Sequence, residues 1–225
     1  MKAYKDTENK IVGNLLRQPL ISKSVHQIAL DTKLMYVTVH KIIPLLLGRR
    51  LIKLEKKGNT NLISVDFENA KIGDLSSAIL SEKDTLMKKY PPVAILTKDI
   101  EDALSGKLYI LLLFGSYAKE IPRQSLVSLS NSKEFDKKEK KDSDVDLLFI
   151  VSNRKDIEFY KEKINKALRL STLKNDFNIV TTDDFVDMLN QKYTVGREAF
   201  EQGIVLFGTE PYYAMVRGHA TKRGY

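Results

Sequence analysis

Residues 142–151, DSDVDLLFIV, decide how this chain is read. Asp144 and Asp146 stand two apart at the mouth of an apolar, β-branched run that predicts a buried strand. Alternate strand residues face the same way, so the two carboxylates project together, about 6–7 Å apart at Cα. Two anions beside a hydrophobic core repel each other and lose hydration, so a positive partner is expected for them. Upstream, KLYILLLFGSYAKE (107–120) predicts a second continuous apolar strand running into Gly115-Ser116. Downstream, DIEFYKEKINKALRLS (156–171) repeats Ile157, Tyr160, Ile164 and Leu168 at helical spacing. A strand DFNIVTT (176–182), helices around Asp183–Asn190 and Arg197–Gln202, and a final strand in GIVLFG (203–208) follow. Strands alternating with helices predict an α+β domain, α/β-like in its order, over 107–210, with 211–225 as a tail.

Composition sets the outer limits. The chain has 225 residues, enough for one or two domains, and 43% hydrophobic against 29% charged residues, which excludes wholesale disorder. It contains no cysteine, so disulfides, thiol catalysis and thiolate-held metals are excluded. No apolar run reaches membrane-spanning length, and MKAYKDTENK is too polar for a signal peptide, so a cytoplasmic protein with no membrane partner is expected.

The formal charge of +8 is unevenly placed. Residues 1–66 hold 12 Lys and Arg against 5 Asp and Glu, while the remainder is nearly balanced at 25 against 24. Basicity confined to one third of a chain suggests a polyanionic partner, although a solvated basic surface gives the same count. The local pattern there is helical from Lys5 to Leu16, with Ile11, Val12, Leu15 and Leu16 on one stripe and Pro19 as a stop. Ser24 is the expected N-cap of VHQIALDT (25–32). MYVTVHKIIPLLLG (35–48) forms the next helix, with Gly48 as its C-cap and Pro44 kinking or shortening its second half. RRLIKLEKKGNTNLISVDF (49–67) then predicts two strands joined by a tight turn.

Three helices followed by a hairpin resemble a winged helix-turn-helix over residues 1–68, a domain that lays its second helix-turn-helix helix in the DNA major groove. On that likeness Tyr36, Val37, Thr38, His40 and Lys41 lie on the reading face, and Arg49, Arg50, Lys53, Lys56 and Lys57 reach phosphates. Double-stranded DNA is the implied partner, bound by a homodimer as is common for such domains. Residues 69–106, with helical periodicity on both sides of Pro91-Pro92, form a helical connector.

A strand ending in Gly-Ser, then a strand opening Ser-Asp-Val-Asp, resembles the nucleotidyltransferase superfamily of the DNA polymerase β type, and most closely its minimal members. GREAFEQGIVLFG (196–208) is similar to that family's C-terminal helix and strand, so the likeness covers 107–208. A fused helix-turn-helix is seen in members from archaea. The resemblance implies that Asp144 and Asp146 hold Mg²⁺ (or Mn²⁺), which binds the triphosphate of an NTP, with Gly115 and Ser116 against the nucleotide. The residue chemistry agrees: hard cations prefer carboxylate oxygen and bridge it to phosphate, and glycine lets backbone approach closely. Catalytic members usually add a third carboxylate on a neighbouring strand. Asp176 is the candidate here, with a turn carboxylate ahead of the strand as its other reading; Asn178 shares its face but is no base.

Gly115 and Asp144 are 29 positions apart, farther than the family usually places them. The intervening polar, Lys/Ser-rich 119–143 reads as a mobile insertion, and Glu120 stands where a glycine often follows the motif. Two functions follow as expectations. One is a nucleotidyltransferase moving a nucleotidyl group from an NTP to a hydroxyl of a protein, RNA or DNA, coupled to DNA-binding transcriptional regulation. The other is a DNA-binding regulator that senses nucleotide, or only dimerises, without turnover.

Overall fold

The structure, a computed structural model, describes residues 2–19, 21–118 and 144–223. The expected insertion 119–143, with Glu120, lies outside the described residues. The chain is a mixture of helices and two small sheets, an α+β arrangement.

The first third holds α1 (Lys2–Leu16), the short β1 (Lys23–Ser24), α2 (Val25–Thr32), α3 (Tyr36–Gly48), β2 (Ile52–Lys57) and β3 (Thr60–Val65). The three strands form an antiparallel sheet in the order β1-β3-β2. Ser24 caps α2 as expected, its hydroxyl accepting from Gln27 N–H. Gly48 does not cap α3: the helix includes it, and the left-handed residue after it is Arg50, φ +56. Nor does Pro44 shorten α3. Pro44 is exposed, so the carbonyl it leaves unbonded can face water, while Ile43 and Leu46 anchor the helix on either side. Gly58, φ +60, makes the tight turn between β2 and β3, whose register runs from Lys57↔Thr60 back to Ile52↔Val65.

Two long helices follow, α4 (Ile72–Lys89) and α5 (Pro91–Ala103). The second sheet has the order β6-β5-β4-β7, built from β4 (Ile110–Phe114), β5 (Val145–Val151), β6 (Asn175–Thr181) and β7 (Ile204–Phe207). Strand β5 pairs antiparallel with β4 and parallel with β6. Helix α7 (Ile157–Leu168) makes the crossover between β5 and β6, and α8 (Thr182–Leu189) and α9 (Val195–Gln202) come before β7. Alternation divides the sheet: Leu111, Leu113, Leu147 and Phe149 pack in a cluster with residues of α5 and α7, and Leu112, Leu148 and Ile150 in one with residues of α8 and α9.

That second core does not stop at the sheet. It continues through Leu75 and Ile79 of α4 into Ile11, Ile28 and Leu46 of the first third. Helix α4, in the stretch read as a connector, therefore packs against α1 on one side and β7 on the other. Residues expected as a tail form most of α10 (Thr209–Arg223), because Tyr212, Tyr213 and Val216 recur on one buried face. Tyr213 stacks on Phe67 with ring centres 6.4 Å apart, and the Arg217 guanidinium donates to the Ala70 carbonyl.

Candidate functional site

The two aspartates flank Val145, whose side chain is fully buried in the α5/α7 cluster. Strand alternation therefore puts both carboxylates on the opposite side, at the open end of the sheet. Register then assembles their neighbours. Phe114 pairs with Asp146 on one side, which brings the next residue, Gly115, against it. Gly115 has φ +68, and a Cβ there would fall on the Asp146 carboxylate. Glycine is thus required twice at this position, for backbone angle and for space. Ser116, at the start of α6 (Gly115–Ala118), is exposed beside it.

On the other side, Asp146 pairs with Asp176 of β6. Strand β6 begins at Asn175, so Asp176 lies within the strand and not in a turn ahead of it. It is exposed and borders, with Asn165, Arg169 and Asn175, a groove of about 290 Å³ at the sheet edge. Asn178 is two residues deeper, opposite Leu148. Among the described residues no three His, Asp or Glu side chains are arranged to hold a metal ion by themselves. The sheet end therefore offers a carboxylate pair with a third carboxylate one strand away.

Asp144 carries the most telling geometry. Its Oδ2 accepts a 2.8 Å ion-paired hydrogen bond from Lys174 Nζ, while its buried Oδ1 has no hydrogen-bond partner among the described residues. Lys174 is set in place by the ladder, since Val145 N–H donates to its carbonyl at 2.9 Å. A buried carboxylate oxygen without a donor is costly in a finished core and is the kind of atom a hard cation satisfies. Asp144 and Asp146, as hard carboxylate-oxygen donors side by side, are chemically suited to a divalent cation.

The first third of the chain presents a basic surface of its own. Tyr36, Val37, His40 and Lys41 are exposed along α3 and Thr38 is half-buried. The Tyr36 and His40 rings lie 5.9 Å apart, one helical turn from each other. Lys53, Lys56 and Lys57 are exposed on β2, with Lys53 and Lys57 on one side of the hairpin and Lys56 on the other. Arg50 is exposed at the base of the hairpin. Arg49 is engaged within the chain: it pairs with Glu8 of α1 at 2.6 Å and Asp74 of α4 at 3.4 Å.

Set against known protein families, curated proteins and solved structures, the chain matches none of them. The site therefore stands on its own geometry. Sequence reading missed Lys174, whose role depends on a strand register that only the folded sheet supplies. It also missed Arg17, just after α1, which donates to both Glu82 oxygens (3.1 and 3.2 Å) and to the Ala118 carbonyl (3.5 Å), joining the end of α1 to α4 and α6. The close approach of α1 and α4 at Gly13, where a Cβ would lie 2.6 Å from Glu82 Oε1, is the one sequence-level sign of that contact. Met35, 76% exposed just before α3, was likewise not singled out.

Proposed function

We propose that the chain is a Mg²⁺-dependent nucleotidyltransferase joined to a winged helix-turn-helix that binds double-stranded DNA. One observation carries the reading: the end of β4 delivers Gly115, with no room for a side chain, onto the Asp146 carboxylate at the mouth of β5. The chain turns there directly against the carboxylate, so a phosphate bound at the aspartates would lie beside main chain and not beside a side chain. Asp144 and Asp146 would hold Mg²⁺ (or Mn²⁺). Such an ion, when bound, supplies charge neutralisation for the triphosphate and for the pyrophosphate that leaves. Ser116 offers a hydroxyl to the same phosphates. Asp176, exposed on the neighbouring strand, accepts the proton of the acceptor hydroxyl as its oxygen bonds to the α-phosphorus and the bond to the β-phosphate oxygen breaks.

On the DNA side, the exposed N-terminal half of α3 enters the major groove, and Arg50, Lys53, Lys56 and Lys57 contact phosphates. Arg49 serves instead to fasten α3 to α1 and α4.

A second reading, a nucleotide-sensing or dimerising DNA-binding regulator without turnover, is favoured by the absence of a three-carboxylate cluster among the described residues. Incubation with Mg²⁺ and NTPs labelled on the α-phosphate, with duplex DNA, RNA and protein acceptors, separates the two. Turnover gives released pyrophosphate and label on an acceptor hydroxyl, both lost in Asp144→Asn/Asp146→Asn. Nucleotide binding without either product establishes the regulator.

A further inference from the structure

Helix α3 exposes apolar side chains in cationic surroundings. Its sequence, YVTVHKIIPLLLG (36–48), contains no Arg, Asn, Gln, Asp or Glu. Val39, Ile42, Ile43 and Leu46 are buried, which leaves Val37, His40, Lys41, Pro44 and Gly48 along the outward stripe. Val37 begins that stripe and is 60% exposed, and Met35 just ahead of it is more exposed still. Pro44 and Gly48 carry no side-chain donor or acceptor, so the stripe's polar groups are those of His40 and Lys41. Lys33 before the helix and Arg50 after it are exposed cations. Apolar contact points framed by positive charge suit a polyanion that itself carries apolar groups.

In the major groove, bases are told apart by hydrogen bonds and by one apolar group, the C5-methyl of thymine. Adenine is commonly read by Asn or Gln and cytosine by Asp or Glu, none of which α3 carries. Valine is β-branched and holds essentially one χ1 rotamer in a helix, so the Val37 methyls stand at a fixed place and lose little freedom on contact. We propose that Val37 sets sequence preference by packing on the C5-methyl of a thymine. This role rests on the DNA-binding reading of α3. The same methyl occurs on 5-methylcytosine, but there its neighbour is an amino donor. Lys41, one helical turn after Val37 on the same face, is also only a donor. Thymine instead places its O4 acceptor beside the methyl, which complements that ammonium.

The test begins with duplexes selected from a random pool by the full chain at low salt. Each thymine of a selected duplex is then replaced in turn by deoxyuridine, which removes the methyl alone. At the position facing Val37 the replacement weakens binding about fourfold, the worth of one buried methyl, as read by fluorescence anisotropy at fixed salt. Val37→Ala, at an exposed site where helix propensity favours Ala, binds the thymine and deoxyuridine duplexes equally. The slope of affinity with salt is the same for both chains, because no phosphate contact has changed. With 5-methylcytosine paired to guanine at that position, binding is weaker than with thymine; equal or tighter binding overturns the choice of thymine. If no thymine shows a methyl effect in wild type, or Val37→Ala keeps the effect, the role of Val37 is overturned while DNA binding stands. If the folded chain binds no duplex at low salt, the DNA-binding reading falls, and the role of Val37 falls with it.

Discussion

Strands β5 and β2 are of similar length and meet opposite fates. In β5, Val145 and every residue from Leu147 to Val151 are buried, and the strand lies inside its sheet between β4 and β6. In β2 only Ile52 is buried; Lys53 to Lys57 are exposed, and the strand is an edge. A strand packed on both faces fixes the positions of the few polar residues at its end, so Asp144 and Asp146 inherit their geometry from the core behind them. An edge strand of lysines has no such frame. It discourages pairing with other chains through its charge, and leaves its cations able to follow a large, irregular polyanion. The first arrangement suits a small ligand that must be held at defined atoms. The second suits a partner whose charge is spread out.

The contrast can be broken most forcefully at matched leucines. Leu148→Ala, in the middle of β5, removes a fully buried side chain and should cost about 2–5 kcal/mol in urea unfolding. Leu54→Ala, 43% exposed on β2, should stay within about 0.5 kcal/mol, and equal losses at the two sites would erase the distinction. Gly115→Ala comes next. Its positive φ and the Asp146 carboxylate together make any side chain strained, so a loss of about 1–3 kcal/mol should accompany a collapse of Mg·NTP affinity. A fully stable, fully binding Gly115→Ala chain would show that the carboxylate does not lie against that glycine.

On the cationic side, Lys53 and Lys57 share one face of the hairpin, so their joint replacement by Ala tests one surface at a time. Each lost phosphate contact lowers the slope of log affinity against log salt by about 0.9, giving a change of about 2 for the pair on a duplex of any sequence. An unchanged slope, read by fluorescence anisotropy, would remove the hairpin from the DNA contact. The smallest effect concerns acid. Burial raises the Asp31 pKa, but hydrogen bonds from Lys23 and Gln27 outweigh it and hold the value below 3.8. The group therefore adds stability above pH 3.8 that disappears as pH falls through its lower folded value. Asp31→Asn should lose stability at neutral pH and show a flatter acid limb than wild type below pH 3.8.

What could be read in advance follows from the same physics. Continuous apolar runs such as 108–114 and 147–151 announce buried strands because few other structures accept them, and the Ser24 cap and the acidic start of α8 are local hydrogen-bond chemistry. Two kinds of feature were not legible. One is tertiary register: nothing in KNDFN states that Asp176 falls beside Asp146, or that Lys174 reaches Asp144. The other is shared burial. Tyr212 and Tyr213 sit in a polar segment that reads as a tail until Tyr213 is seen stacked on Phe67 and Arg217 bonded to the Ala70 carbonyl. Pro44 misled for a related reason, since its cost depends on whether the freed carbonyl faces water or core, which sequence alone does not give.

On the proposed function, a small-ligand site lies at the end of β4 and β5, with Asp144 and Asp146 as its metal-holding pair. Isothermal titration calorimetry of Mg·NTP into wild type and into Asp144→Asn/Asp146→Asn addresses it most directly, because the double change removes two charges at nearly constant shape. Mg²⁺-dependent binding is expected in wild type, and its loss in the folded double variant. Equal affinity in the two chains, or nucleotide binding indifferent to Mg²⁺, would contradict it.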